Sequence, residues 1–166
     1  MGLSRTAQSS QSLVLTAESV PSHLNLGFAI NADIGWYDPE ERDATLQAGA
    51  DAGAKYLRTD CNWAYVEPTQ GSPDWSRMDT VVNGITSRGM QPLLILTGTP
   101  EWAAGGSASS EFYHPTNMSQ WSAFVTAAVT RYASQVKLWE IWNEANIQFF
   151  WRAGPSTAAY TPLLTT

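Results

Sequence analysis

From residue 26 to the end, the chain alternates short apolar runs with amphipathic stretches four times over. This alternation constrains the fold more than any other feature of the sequence. A continuous apolar run suits a strand buried on both faces, and apolar positions three and four residues apart suit a helix lying on a sheet. The spacing predicts strands over 26–30, 56–60, 92–97 and 136–142. Helices are expected over 43–53, 74–88 and 119–134, with a fourth starting at Ser156. Asp43 is the expected cap of the first helix and Gly53 its stop, while Gly89 follows the second. Within the second, Met78, Val81, Val82 and Ile85 fall at i, i+3, i+4 and i+7, so the helical period overrides the hairpin signal of Asn83-Gly84.

Four such βα units imply parallel strands joined by right-handed crossovers. An open doubly wound sheet and a closed barrel both satisfy that pattern. No glycine-rich phosphate-binding turn follows the first strand, which disfavours the nucleotide-binding version. Polar residues gather instead after the C-terminal ends of the strands, where barrel enzymes place their sites. The expected fold is therefore α/β, a (β/α)8 TIM barrel of which this chain supplies about the first four units. Its 166 residues fall short of the roughly 250 of a closed barrel. Residues 1–24, rich in Ser, Gln and Thr, read as an N-terminal arm or linker, and 25–166 as the half-barrel.

Composition narrows the function. With 9 Lys+Arg against 15 Asp+Glu and no basic run, the net charge of -6 disfavours nucleic acid and anionic membrane surfaces as partners. No segment approaches the ~20 apolar residues of a membrane span. The run Leu13 to Leu15 is too short for a signal-peptide core, and the match of Met1-Gly2 and Thr6 to an acylation pattern is weak. A single cysteine, Cys61, excludes an internal disulfide framework, and the isolated His23 and His114 lack metal-ligand spacing, so no metal or other cofactor is expected.

The residues that carry chemistry end the fourth strand. In Lys137-Leu-Trp-Glu-Ile-Trp-Asn-Glu-Ala-Asn146 an apolar run stops at Asn143-Glu144. Burying an amide and a carboxyl there is costly unless they are paired or used. Neighbouring strand residues point to opposite faces, so both can serve one substrate only where the strand ends or bulges. Glu140 shares a strand and face with Glu144 but lies roughly 13 Å along it. That is too far for a catalytic pair, and it reads as an inward residue partnered by Arg58. Asp33 and Asp60 end neighbouring strands and are expected to hydrogen-bond within their loops. Trp63, Trp102 and Trp151 each follow a strand end and are candidate sugar-stacking platforms, with packing the competing role. Asn62 is a polar candidate at the same rim.

WEIWNEAN resembles the fourth-strand motif of clan A glycoside hydrolases, especially the family 39 β-xylosidase-like enzymes and related family 5. The resemblance runs through most of the chain from Leu26 and includes Arg58, the TPEW segment and RYASQVKLWEIWNEAN. It implies that Glu144 is the general acid/base, that Asn143 hydrogen-bonds the sugar 2-hydroxyl and that Arg58 steadies the nucleophile. It also implies a retaining two-carboxylate mechanism on a polysaccharide or oligosaccharide, with the nucleophile a Glu on the seventh strand. No Asp or Glu follows Glu144 here. Ala145 replaces the commoner Pro after the Asn-Glu pair, away from the chemistry. Three expectations about the whole follow. A C-terminal half-barrel completes the enzyme; a second copy of the chain pairs with the open edges; or the chain is a non-catalytic carbohydrate-binding or structural module of a cell surface or virion. A polymeric substrate suggests an extracellular or virion-associated place of work.

Overall fold

The computed structural model describes residues 27–104 and 110–165. The N-terminal arm, His23 and Leu26 of the expected first strand lie outside the described residues. Strand β1 (Ala29–Asn31), β2 (Tyr56–Asn62), β3 (Gln91–Thr97) and β4 (Leu138–Ile141) form one sheet. All three neighbouring pairs are parallel and the order is β1-β2-β3-β4. A doubly wound sheet reverses its strand order between its two halves. Here each strand adds on the same side of the one before, which is barrel topology.

The elements follow from local chemistry. Helix α1 (Pro39–Asp51) begins four residues earlier than the expected start at Asp43. Asp38 caps it by accepting from the Glu41 amide at 2.9 Å, Pro39 supplies the fixed φ of a first turn, and Glu40 and Glu41 face the helix's positive end. Asp43 instead pairs with Arg88 on the surface. Gly27 takes a left-handed φ of 70°, so β1 starts later than the apolar run suggested. Asn62 ends β2 and caps the single turn α2 (Trp63–Val66). Helix α3 (Ser76–Thr86) buries Met78, Val81, Val82 and Ile85, each contributing about 1.5–3 kcal/mol when fully buried. Asn117 caps α4 (Met118–Tyr132) and Ser156 caps α5 (Thr157–Leu164).

Paired residues of parallel strands share a face. Leu57, Leu94 and Leu96 face the helices and are completely buried. The opposite face carries Arg58, Asp60 and Asn62 of β2, Ile95 of β3 and Glu140 of β4. This is the face a barrel turns to its axis, and it positions the polar groups below. Aromatic rings fill the helical side: Trp63 stacks on Phe124 with centroids 5.3 Å apart, and Trp121 lies 5.8 Å from the same ring.

Candidate functional site

Strand β4 stops abruptly. Trp142 and Glu144 take left-handed φ angles of 64° and 49°, the two positive-φ residues other than glycine among those described. Such backbone costs about 1–2 kcal/mol for an L-residue with a full side chain. It persists because Trp142 is over-determined. Its amide donates to the Leu96 carbonyl at 2.9 Å and its indole donates to the Phe150 carbonyl at 2.8 Å. Its ring packs edge-on against Trp151, 5.2 Å away. The paired kinks end the alternation of the strand at Asn143 and Glu144.

The two side chains border adjoining recesses bridged by Arg58. Glu144 is exposed and borders an open cleft of about 510 Å³ with Glu140, Asn146, Ser156 and Tyr160. Asn143 borders a second recess of about 410 Å³ with Asp33, Trp36, Asp60, Asn62 and Tyr65. Arg58 donates from Nε and Nη2 to the two oxygens of Glu140 at 2.7 and 2.6 Å, from Nη2 to Asn143 Oδ1 at 2.9 Å, and from Nη1 to Asn31 Oδ1 at 2.8 Å. The partnership of Glu140 with Arg58 expected from their shared face is therefore present. Hydrogen bonding to Glu140 raises the Arg58 pKa above its ordinary value, so the guanidinium is a fixed cation.

The second recess is acidic and aromatic. Burial pushes the Asp60 carboxyl up to about 6, helped by the charge of neighbouring Asp33 and opposed by Arg58. A carboxyl with a raised folded-state pKa binds its proton more tightly folded than unfolded. Its contribution to stability is present below the ordinary value of 3.8 and is lost as pH rises through about 6. Asp60→Asn removes that loss. The variant is expected to unfold with a flatter pH dependence between about pH 4 and 6 and to gain up to about 3 kcal/mol relative to the parent across that window. Urea melts at several pH values check this, and a parallel decline of both proteins sinks it. Asn62 stands beside Asp60 on the same face, its Oδ1 accepting from the Ala64 amide at 3.0 Å. Gly98, with φ 71°, packs so closely on this amide that any Cβ there would clash with it.

The three tryptophans expected as sugar platforms do not border either recess. Trp63 and Trp151 are completely buried and have no face to offer a ligand. Trp63 opens α2, which turns its ring back among Trp121 and Phe124; Trp151 packs under Trp142. Trp102 is half-buried, donating to the Glu67 carbonyl at 2.9 Å with its ring edge-on to Trp63. The exposed rings lining the second recess are Trp36 and Tyr65, 50% and 44% accessible, with centroids 4.3 Å apart in an edge-to-face pair. Both directly follow the first two strand units, and the sequence analysis missed them. His114 stacks on Trp151 at 5.1 Å as a packing residue. Burial pushes the Cys61 thiol up to about 12, so it is no thiolate nucleophile. Among the described residues no group of three His, Cys, Asp or Glu could hold a metal ion, and no helix is long and apolar enough to cross a membrane.

Set beside known proteins, this half-barrel with its strained Asn-Glu turn falls among the barrel glycoside hydrolases. The model of the cellulase family, glycosyl hydrolase family 5, matches residues 16–153, and the chain belongs to that family. A search of curated proteins found no match. Among solved structures it is similar to the β-xylosidase of Caulobacter crescentus CB15, with a TM-score of 0.66 and 25% identity over 83% of this chain and 32% of that one. A family 39 glycoside hydrolase from Bacteroides cellulosilyticus WH2 superposes with a TM-score of 0.64 at 23% identity, over 84% of this chain and 27% of that one. A β-glycosidase from Pyrococcus horikoshii gives 0.61 at 15% identity, over 87% and 42%. The chain thus spans less than a third of the first two.

Proposed function

We propose that the full-length protein is a retaining glycoside hydrolase acting on a polysaccharide or oligosaccharide, with Glu144 as its general acid/base. The observation that carries this is the turn after β4, where two left-handed residues present an exposed carboxyl beside an amide oriented by Arg58. Backbone strain of this kind concentrates where a side chain must be aimed.

In the first step the Glu144 carboxyl gives its proton to the glycosidic oxygen as the bond to the anomeric carbon breaks. A second carboxylate attacks that carbon from the opposite face and forms a glycosyl ester. Glu144, now ionised, takes a proton from water, which displaces the ester and regenerates both groups. Asn143 holds the 2-hydroxyl and Arg58 orders the floor of the site. We read Glu140, held at both oxygens by Arg58, as a partner of that arginine and not as the second carboxylate. We assign that nucleophile to a part of the protein beyond the described residues, in a complementary half-barrel. Trp36 and Tyr65 take the stacking role first expected of the buried tryptophans. A polymeric substrate of this class is met outside the cell or on a particle surface, where we assign its work.

The test is the anomer first released by the full-length protein, followed by proton NMR on a β-linked aryl glycoside or oligosaccharide. Retained configuration is expected. Inversion removes the double-displacement mechanism, and binding of the oligosaccharide without any turnover leaves a carbohydrate-binding module instead.

A further inference from the structure

Resting on that reading, we propose that Glu140 is a positioning residue: through Arg58 it fixes which end of the Asn143 amide faces the substrate.

The argument starts from the plane of the guanidinium. Its five N–H bonds lie in one plane at fixed angles. Glu140 takes two of them as a fork, Nε–H to Oε2 and one Nη2–H to Oε1. Once that edge is held, the second Nη2–H has a single direction left. It points at Asn143 Oδ1, 2.9 Å away. Asn31 receives an N–H from the far nitrogen and closes the plane from the β1 side.

The consequence falls on Asn143. The two ends of a side-chain amide have nearly the same shape, so geometry alone does not choose between them. A donor aimed at one end does choose. With Arg58 directed at it, the oxygen must face the arginine, because the reversed amide would set donor against donor. The Nδ2 end is then turned away, and no described residue accepts from it. Asn143 is left as a donor, ready for a lone pair of a sugar hydroxyl.

Stability does not account for the fork. Glu140 and Arg58 retain 35% and 26% of their side-chain accessibility, and ion pairs that open to water add little to folding. Nor does electrostatic neutralisation require two-point contact. A bidentate fork is the arrangement that defines an angle. Register supports the same view. Glu140 lies level with Ile95 and Asp60, two residues beyond the rung of Arg58. Arg58 therefore reaches forward along the sheet to meet both Glu140 and the turn carrying Asn143.

The experiment uses the full-length protein and a matched pair of aryl β-glycosides, one with and one lacking the 2-hydroxyl, in the sugar series the parent turns over. The readout is the ratio of kcat/KM for the two, compared between variants so that the intrinsic reactivity of the deoxy sugar cancels. Glu140→Gln keeps the shape but replaces one acceptor by a donor. It is expected to lower the ratio about tenfold, the worth of one charge-assisted hydrogen bond. Glu140→Asp keeps the charge, shortens the fork and is expected to lower the ratio by a smaller factor. In an Asn143→Ala background neither substitution changes the ratio further. A parental ratio in both Glu140 variants, or an equal drop with Asn143 already gone, overturns the proposal while leaving the proposed function standing. A parent protein that hydrolyses no glycoside overturns both.

Discussion

Glu144→Gln in the full-length protein is expected to lower kcat by about 10²–10⁴ on glycosides with poor leaving groups, while oligosaccharide binding stays near that of the parent. The amide has the size of the carboxyl and can accept or donate a hydrogen bond, but it cannot give up a proton to the glycosidic oxygen. A substrate whose leaving group departs without protonation is spared in the first step, so aryl glycosides with acidic phenols lose less. The second step also loses its base. Azide, which attacks without surrendering a proton, is expected to restore turnover with the activated substrate. Because Glu144 is exposed and its carboxyl is unpaired among the described residues, the exchange changes stability by no more than about 0.5 kcal/mol. A variant as active as the parent on unactivated substrates removes Glu144 from the acid role, whatever the rest of the site does.

Arg58→Lys is expected to be nearly as damaging to turnover, with only a small effect on the fold. Lysine keeps the charge but offers a compact ammonium on a flexible stem, so it cannot serve Glu140 at two points and Asn143 and Asn31 at the same time. Misplacing groups around a reacting centre by about 1 Å costs on the order of 100-fold in rate, and kcat/KM should fall by about that factor. The stability loss is smaller than the 3–5 kcal/mol of a fully buried broken pair, because water reaches both partners. A loss of no more than about 1 kcal/mol is expected, read from urea unfolding. Parental turnover by Arg58→Lys means that charge alone suffices and that the fork has no role in positioning.

Much of this was legible before any coordinates. The strands were found because burial on both faces leaves a run such as Leu93 to Leu96 with no polar alternation, a signal independent of neighbours. The Arg58–Glu140 pair was legible because both residues interrupt apolar strands on one face, where each needs a counter-charge. Element ends were harder. Asp38 and Asp43 are both good caps, and Pro39 at the first turn favoured Asp38, a detail that the apolar spacing cannot weigh. The tryptophans were misread for a different reason. Following a strand end places a residue at the rim but does not say which way it points. Trp63 begins a one-turn helix capped by Asn62 and is swung inward, while Trp36 stays at the mouth. Only packing between elements distant in sequence decides that, and the chain order does not display it.

The hydrogen bond from the Trp142 indole to the Phe150 carbonyl ties together the two ends of a bow of nine residues, 142–150. The anchor lies beneath the bow, among Trp121 and Trp151, and not in it. Ile147, Gln148 and Phe149 at its crest are exposed. Substitutions at the crest therefore leave the tie in place, and with it the backbone that sets the direction of the Glu144 side chain.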